Sequence, residues 1–165
     1  MESEQEILKD EPVLQMVGVE DAEEILVLQR LCFQSEAALN NNSNIPPLMQ
    51  TLSELAQEFK TCRVFKMTLG GKIIGSVRGK IVGDTCHIGR LFVHPEFQGR
   101  GFGTRLMNRI EIELGCADRF EIFTGSRSLD NLRLYERLGY REVRREAISG
   151  DLEMVYLQKP SIHTK

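Results

Sequence analysis

The sequence predicts an α/β domain with a mixed, mostly antiparallel sheet of about seven strands flanked by about four helices. Three observations carry the prediction. Apolar residues recur at helical spacing between residues 21 and 34, whereas from 61 to 93 the period drops to two. Glycine-containing two-residue breaks, Gly70-Gly71 and Gly83-Asp84, cut that period-two stretch into three runs. The 165 residues, 41% of them hydrophobic, suit one compact domain able to bury a core.

Residues 1–11 are polar and charged and are expected to fray, as is the tail of 160–165, which leaves a core of 13–159. "VLQMVGV" reads as a first short strand. "DAEEILVLQRLCFQ" sets Ile25, Leu28, Leu31 and Cys32 on one helical face behind Asp21 as a cap. "ALNNNSNIPPLMQ" is a polar, proline-containing loop of the kind that shapes a substrate mouth. Thr51 stands three residues before Glu54, a capping-box spacing that predicts a short second helix.

The runs "CRVFKMTL", "KIIGSVRGKIV" and "TCHIGRLFV" then form an antiparallel meander. A glycine-laced junction opens into a helix from Gly101 to about Leu114, ended by Gly115. "RFEIFTG" is a further strand, and "DNLRLYERLG" a helix stopped at Gly139. "YREVRREA" and "LEMVYLQK", joined through "SGD", close the domain as a hairpin. Strand, two helices, meander, helix, strand, helix, hairpin is the order of a mixed sheet.

Composition narrows the function. A net charge of −3 without a basic stripe argues against a nucleic-acid partner and leans toward a cationic one. No apolar run approaches the roughly 18 residues of a membrane span, and the acidic start "MESEQEILKDE" does not resemble a secretion signal. A cytoplasmic protein without a membrane partner is expected. Cys32, Cys62, Cys86 and Cys116 are scattered with no CxxC pair, which predicts free thiols and no metal site.

The chemistry concentrates in "LFVHPEFQGRGFGTRLMNRI". Gln98, Gly99, Arg100, Gly101, Phe102 and Gly103 lie between a strand end and a helix start. Glycines there admit positive φ, and successive N–H groups converge with the helix N-terminus into a cradle for an anion, to which Arg100 and Arg105 add charge. A Walker loop needs GxxxxGK[ST], which is absent; a dinucleotide fingerprint needs GxGxxG after the first strand of a βαβ unit, and here the strand belongs to a meander. A glycine-rich turn without a ligand is the remaining alternative.

"VHPEFQGRGFGTRLM" resembles the acyl-CoA-binding signature of the GNAT superfamily of N-acetyltransferases, V-x-P-x-x-Q/R-G-x-G-x-G/A before a helix, with every defining residue present from Val93 to Gly103. "LYERLGYRE" is similar to the family's second signature, LYxxxGF, with Tyr140 in place of Phe. The order of elements from Val13 to Gln158 is also similar to that family's fold. The resemblance implies acetyl-CoA as co-substrate, its pyrophosphate on the backbone N–H groups of Gln98, Gly99, Arg100, Gly101, Phe102, Gly103 and Thr104. It implies a pantetheine arm beside Leu91, Phe92 and Val93, where two parallel strands splay, and a backbone N–H, that of Leu91, donating to the thioester oxygen.

Acetyl transfer to an amine needs a neutral amine, an oxyanion donor and a proton for the leaving thiolate. The resemblance places Tyr135 as that acid; packing of the helix onto the sheet is its plain alternative. His87 lies six residues before Val93, where several relatives carry a base, and alternation puts it on one face with Gly89 and Leu91. An ordinary strand histidine, with a water relay as base, is equally compatible. Glu121 is a weaker candidate base and His94, before a proline, a surface residue. Many relatives have an asparagine seven residues before the acid tyrosine; here Ser128 stands there and Asn131 four before, so both are carried as cofactor contacts, with helix capping by Asp130 or Asn131 as the alternative. Cys86 and Cys116 lack a local base, which favours direct attack in a ternary complex over an acyl-cysteine route.

The expected activity is transfer of acetyl from acetyl-CoA to a primary amine of a small molecule or protein, with acidic residues around the Ala37 to Gln50 loop weakly favouring a cation. Use of another acyl-CoA, or a CoA-binding sensor or accessory subunit without turnover, are the alternatives. The resemblance is compatible with a homodimer.

Overall fold

In the computed structural model, which describes residues 11–162, seven strands form one sheet: β1 (Val13–Met16), β2 (Arg63–Leu69), β3 (Lys72–Val82), β4 (Thr85–Val93), β5 (Arg119–Gly125), β6 (Arg141–Ser149) and β7 (Leu152–Pro160). Their order is β1-β2-β3-β4-β5-β7-β6, and every neighbouring pair is antiparallel except β4 and β5. The two predicted breaks are the meander's turns, with Gly70, Gly71 and Gly83 all at positive φ.

Four helices have nine or more residues: α1 (Ala22–Cys32), α4 (Leu52–Thr61), α5 (Phe102–Glu113) and α6 (Leu129–Arg137). Two short ones, α2 (Gln34–Leu39) and α3 (Pro46–Met49), lie where the sequence suggested the end of a helix and a loop. Their cause is local: α3 starts on a Pro-Pro pair whose missing N–H groups a first turn does not need. The capping box of α4 forms as expected, with Thr51 and Glu54 exchanging hydrogen bonds. The expected Asp21 cap of α1 does not. Its side chain instead accepts from the Gly18 N–H and pairs with Lys66 at 2.7 Å, fixing the turn before the helix.

Helices α5 and α6 cover one face of the sheet and α1 and α4 the other. Leu106, Met107 and Ile110 of α5 are fully buried against Val77, Ile122 and Val155, each such side chain contributing about 1.5–3 kcal/mol relative to exposure. On the second face Ile25, Leu28 and Leu55 pack on Ile73 and Phe92. α5 can approach β3 closely because Gly79 lies beneath it, where a Cβ would sit 2.7 Å from Leu114 Cδ1 and 2.9 Å from Ile110 Cγ1.

The expected free cysteines are found at all four positions. The expected fraying of 1–10 and 163–165 falls outside the described residues. Ser161, assigned to the frayed tail, is instead buried, its N–H bonded to the Asp118 carbonyl at 3.0 Å. No helix among the described residues is long and apolar enough to cross a membrane.

Candidate active site at the parting of two strands

The site begins with an irregularity in β4. Ser76 pairs with Phe92 and Arg78 with Gly89, so two residues of β4, Arg90 and Leu91, stand opposite the single Val77 of β3. This is a β-bulge, and Arg90 takes the left-handed conformation at φ 49° to make it. The bulge corrects one expectation. Phe92 faces the α1 side with Gly89 and His87, while Leu91 packs toward α5, so Leu91 does not share a face with His87.

The bulge also marks where β4 and β5 separate. Their parallel pairing runs from Thr85↔Arg119 through His87↔Glu121 and stops, although β5 continues to Gly125 against β7. Beyond that point the facing edges of both strands are unpaired. Arg90 and Leu91 also have no Cα partner in the β3 register, so the bulge interrupts the ladder on that side as well.

A cavity of about 880 Å³ occupies the gap. Leu91, Phe92 and Val93 line it along β4; Gln98, Gly99, Gly101, Phe102, Gly103 and Thr104 line it at the glycine-rich turn; Ser128 and Asn131 line it from the start of α6. One candidate is set apart: Arg100 is not on the cavity wall, and its guanidinium stacks over the Phe97 ring at 5.3 Å.

The turn has the properties of an anion cradle. Gly99 and Gly101 have φ of 77° and 81°, and a Cβ on either would meet open space, as expected where a ligand approaches the backbone. Gly101 is the N-cap of α5 and supplies no side-chain acceptor. No backbone N–H from Gln98 through Thr104 finds an acceptor among the described residues, so these amides and the helix dipole, about half a positive charge, are available to phosphate. Arg127, Arg133 and Arg137 add cationic wall. The last two lie one turn apart on α6, a spacing legible in "NLRLYER" but not singled out from sequence.

Tyr135 is 4% exposed and is not on the cavity surface itself, its ring edge-on to Tyr140 at 6.2 Å between centroids. Burial first, and the Glu36 carboxylate second, raise its phenol above the ordinary tyrosine range. Glu36, from α2, does line the cavity: its Oε1 accepts from the Ser128 hydroxyl at 2.5 Å and the Thr124 hydroxyl at 3.5 Å. Asn131 donates to the same Thr124 oxygen at 3.3 Å. Sequence reasoning passed over Glu36 because nothing in "QSEAAL" distinguishes it from a solvated helix face.

His87 is on the other side of the junction. Its side chain is 50% exposed, Nδ1 lies 3.9 Å from Glu121 Oε1, and it is not on the cavity wall. Glu121 is buried and shared among His87, Arg144 at 3.6 Å and Gln158, which donates at 2.7 Å. His94, expected at the surface, is half-buried; its Nδ1 accepts from Glu96 N–H and holds the turn after β4. Neither Asp130 nor Asn131 caps α6, whose N-cap position is Ser128 with no side-chain cap bond. Cys32 lines the cavity and donates its thiol to the Val93 carbonyl at 3.5 Å. Burial pushes that thiol, and that of Cys86, up to about 12, so neither is a ready thiolate nucleophile near neutral pH.

A model of the acetyltransferase (GNAT) family matches residues 23–140. Solved structures show the same fold at low identity. A ribosomal-protein-S18-alanine N-acetyltransferase from Escherichia coli is 16% identical with a TM-score of 0.74, covering 92% of this chain and 94% of its own. The PaiA N-acetyltransferase from Thermoplasma acidophilum, solved in complex with coenzyme A, is 15% identical with a TM-score of 0.76, over 91% and 99% of the two chains. An acetyltransferase from Thermus thermophilus is 18% identical with a TM-score of 0.69, over 90% and 96%.

Proposed function

This chain belongs to the GNAT family of acetyltransferases, and from that premise we propose that it transfers acetyl from acetyl-CoA to a primary amine by direct attack in a ternary complex. One observation carries the reading: a single cavity runs from the unsatisfied amides of the Gln98–Thr104 turn, along the unpaired edge of β4, to the start of α6. A ligand with a diphosphate at one end and an amide-bearing arm at the other matches that sequence of partners, and a coenzyme A complex of the same fold supports it.

Acetyl-CoA supplies a thioester carbonyl open to attack by a neutral amine. Gln98 to Thr104 hold the diphosphate through main-chain N–H groups. Leu91, Phe92 and Val93 present backbone to the arm, as a neighbouring strand would. The Leu91 N–H, at the bulge, donates to the carbonyl oxygen as charge develops there. As the N–C bond forms and the C–S bond breaks, the departing sulfur takes a proton that originates at the Tyr135 phenol, which lies behind the cavity wall and reaches it by a side-chain movement or through a water; its raised pKa keeps that proton in place beforehand. The amine's proton leaves through water, with His87, half-exposed and off the cavity wall beside Glu121, as the outer acceptor of that relay.

The cavity's orphaned amides would serve a non-catalytic CoA sensor equally well. Free-thiol release from acetyl-CoA across a panel of primary amines, beside calorimetric binding of coenzyme A, separates the two. Amine-dependent release is expected; tight binding with no release from any amine would leave the sensor reading standing.

A further inference from the structure

Two carboxylates line the cavity. Asp130 is fully exposed at the start of α6 and faces Arg133 at 3.8 Å. Glu36 is half-buried and has no cationic partner among the described residues; only the Ser128 and Thr124 hydroxyls reach it, both at Oε1. Oε2 has no hydrogen-bond or ion-pair partner among the described residues, and a cation or strong donor completes such a carboxylate.

Its position is specific. Thr124 lies on the part of β5 that has parted from β4, and Ser128 opens the helix that carries Tyr135. The Glu36 charge also acts on the buried Tyr135 phenol. Phe33 and Leu39, on either side of Glu36 in sequence, line the same cavity and offer apolar contact. Arg127 on the same wall is already engaged by the Leu39 carbonyl and by Asp151, and a carboxylate with aliphatic and aromatic neighbours suits a cation on a carbon chain. It disfavours a second anion.

We propose that Glu36 receives the ammonium group of the acceptor amine and so selects a cationic primary amine as substrate. This rests on the acetyl-transfer reading and adds to it the residue that positions the nucleophile beside the thioester. The bound ammonium loses one proton to solvent before it attacks, and the neutral amine that remains still donates an N–H to Glu36 Oε2, while Ser128 and Thr124 fix Glu36.

Steady-state kinetics test it, with thiol release measured for a panel of diamines and dipeptide amides. Glu36→Gln keeps an oxygen to accept from Ser128 and removes the charge, so it should fold with an unchanged melting temperature. The KM for the amine should rise at least about tenfold, the order expected for losing one charge-assisted contact, while the KM for acetyl-CoA stays within about twofold. Glu36→Asp should recover part of the amine affinity. An unchanged amine KM in Glu36→Gln, in an enzyme whose wild type acetylates amines, overturns this inference alone. Absence of turnover with every amine, coenzyme A still binding, overturns the acetyl-transfer reading and this one with it.

Discussion

Ser128 donates its hydroxyl hydrogen to Glu36 Oε1 across 2.5 Å, so the first residue before one helix holds a carboxylate on another helix 92 positions earlier. Ser128→Ala should lower stability by about 1 kcal/mol, the usual worth of one hydrogen bond at a half-buried site, as read by urea unfolding. It should also raise the amine KM severalfold. A rise in the acetyl-CoA KM instead would show the hydroxyl working as a cofactor contact.

The Tyr135 ring is buried and its phenol titrates above the ordinary range. Tyr135→Phe should cut kcat by about 10² or more, the scale of a general acid, with coenzyme A affinity unchanged in calorimetry. Because the shift is upward, the proton stays on the phenol through the neutral and mildly alkaline range. The wild-type kcat should therefore show no loss from this group up to about pH 10, and wild-type rates from the phenylalanine variant would remove it from the mechanism.

Gly101 sits at φ 81° with open space where a Cβ would go. Gly101→Ala meets no protein atom, so its cost is the left-handed backbone alone, about 1 kcal/mol. The added methyl projects into the cradle. Coenzyme A should bind about tenfold or more weakly by calorimetry, while a thermal melt without ligand shifts by only a few degrees.

Beneath α1 and α4, Arg78 is 4% exposed and bonded to Glu58 at 2.7 Å, with Gln29 and Gln50 completing the cluster; its Nε finds no partner among the described residues. Burial lowers its pKa to about 10, with the Glu58 charge opposing the fall. Glu58→Gln leaves the guanidinium buried without its counter-charge. Because Glu58 itself is a third exposed, we expect about 2 kcal/mol of destabilisation in urea rather than the roughly 3–5 kcal/mol of a fully buried pair.

Cys86 is fully buried and its thiol is raised from 9.0 to about 12. The native state therefore holds this proton more tightly than the unfolded chain. The resulting stability is fully present below about pH 9 and is lost progressively as pH rises toward 12. Cys86→Ala should be less stable at pH 7, through a cavity, yet lose less stability between about pH 8.5 and 10.5. Parallel slopes of melting temperature against pH in the two proteins would contradict this.

The sheet was legible because its signals are local: two-residue glycine turns, strict alternation and the Thr51–Glu54 capping box all operate within a few residues. The cradle was legible for the same reason, since glycines at 99 and 101 directly precede a helix and Gly103 lies in its first turn. What escaped were consequences of tertiary assembly. The extra residue at Arg90 is invisible to an alternation count, which put Leu91 on the wrong face. Glu36 gains its meaning only from Ser128 and Thr124, about 90 residues away. Asp21 was drawn from its cap position by Lys66, a long-range partner, and buried Ser161 is held through its N–H by the distant Asp118 carbonyl rather than by any property of "SIHTK".

The parting of β4 from β5 leaves two lengths of peptide edge whose hydrogen-bonding groups belong to the backbone rather than to any side chain. Leu91 and Val93 are thus interchangeable with other apolar residues in a way that the one-residue insertion at Arg90 is not. Removing that insertion would restore the alternation and turn the last residues of the strand inside out. Sequence drift is cheap along this edge, and a change of length is not.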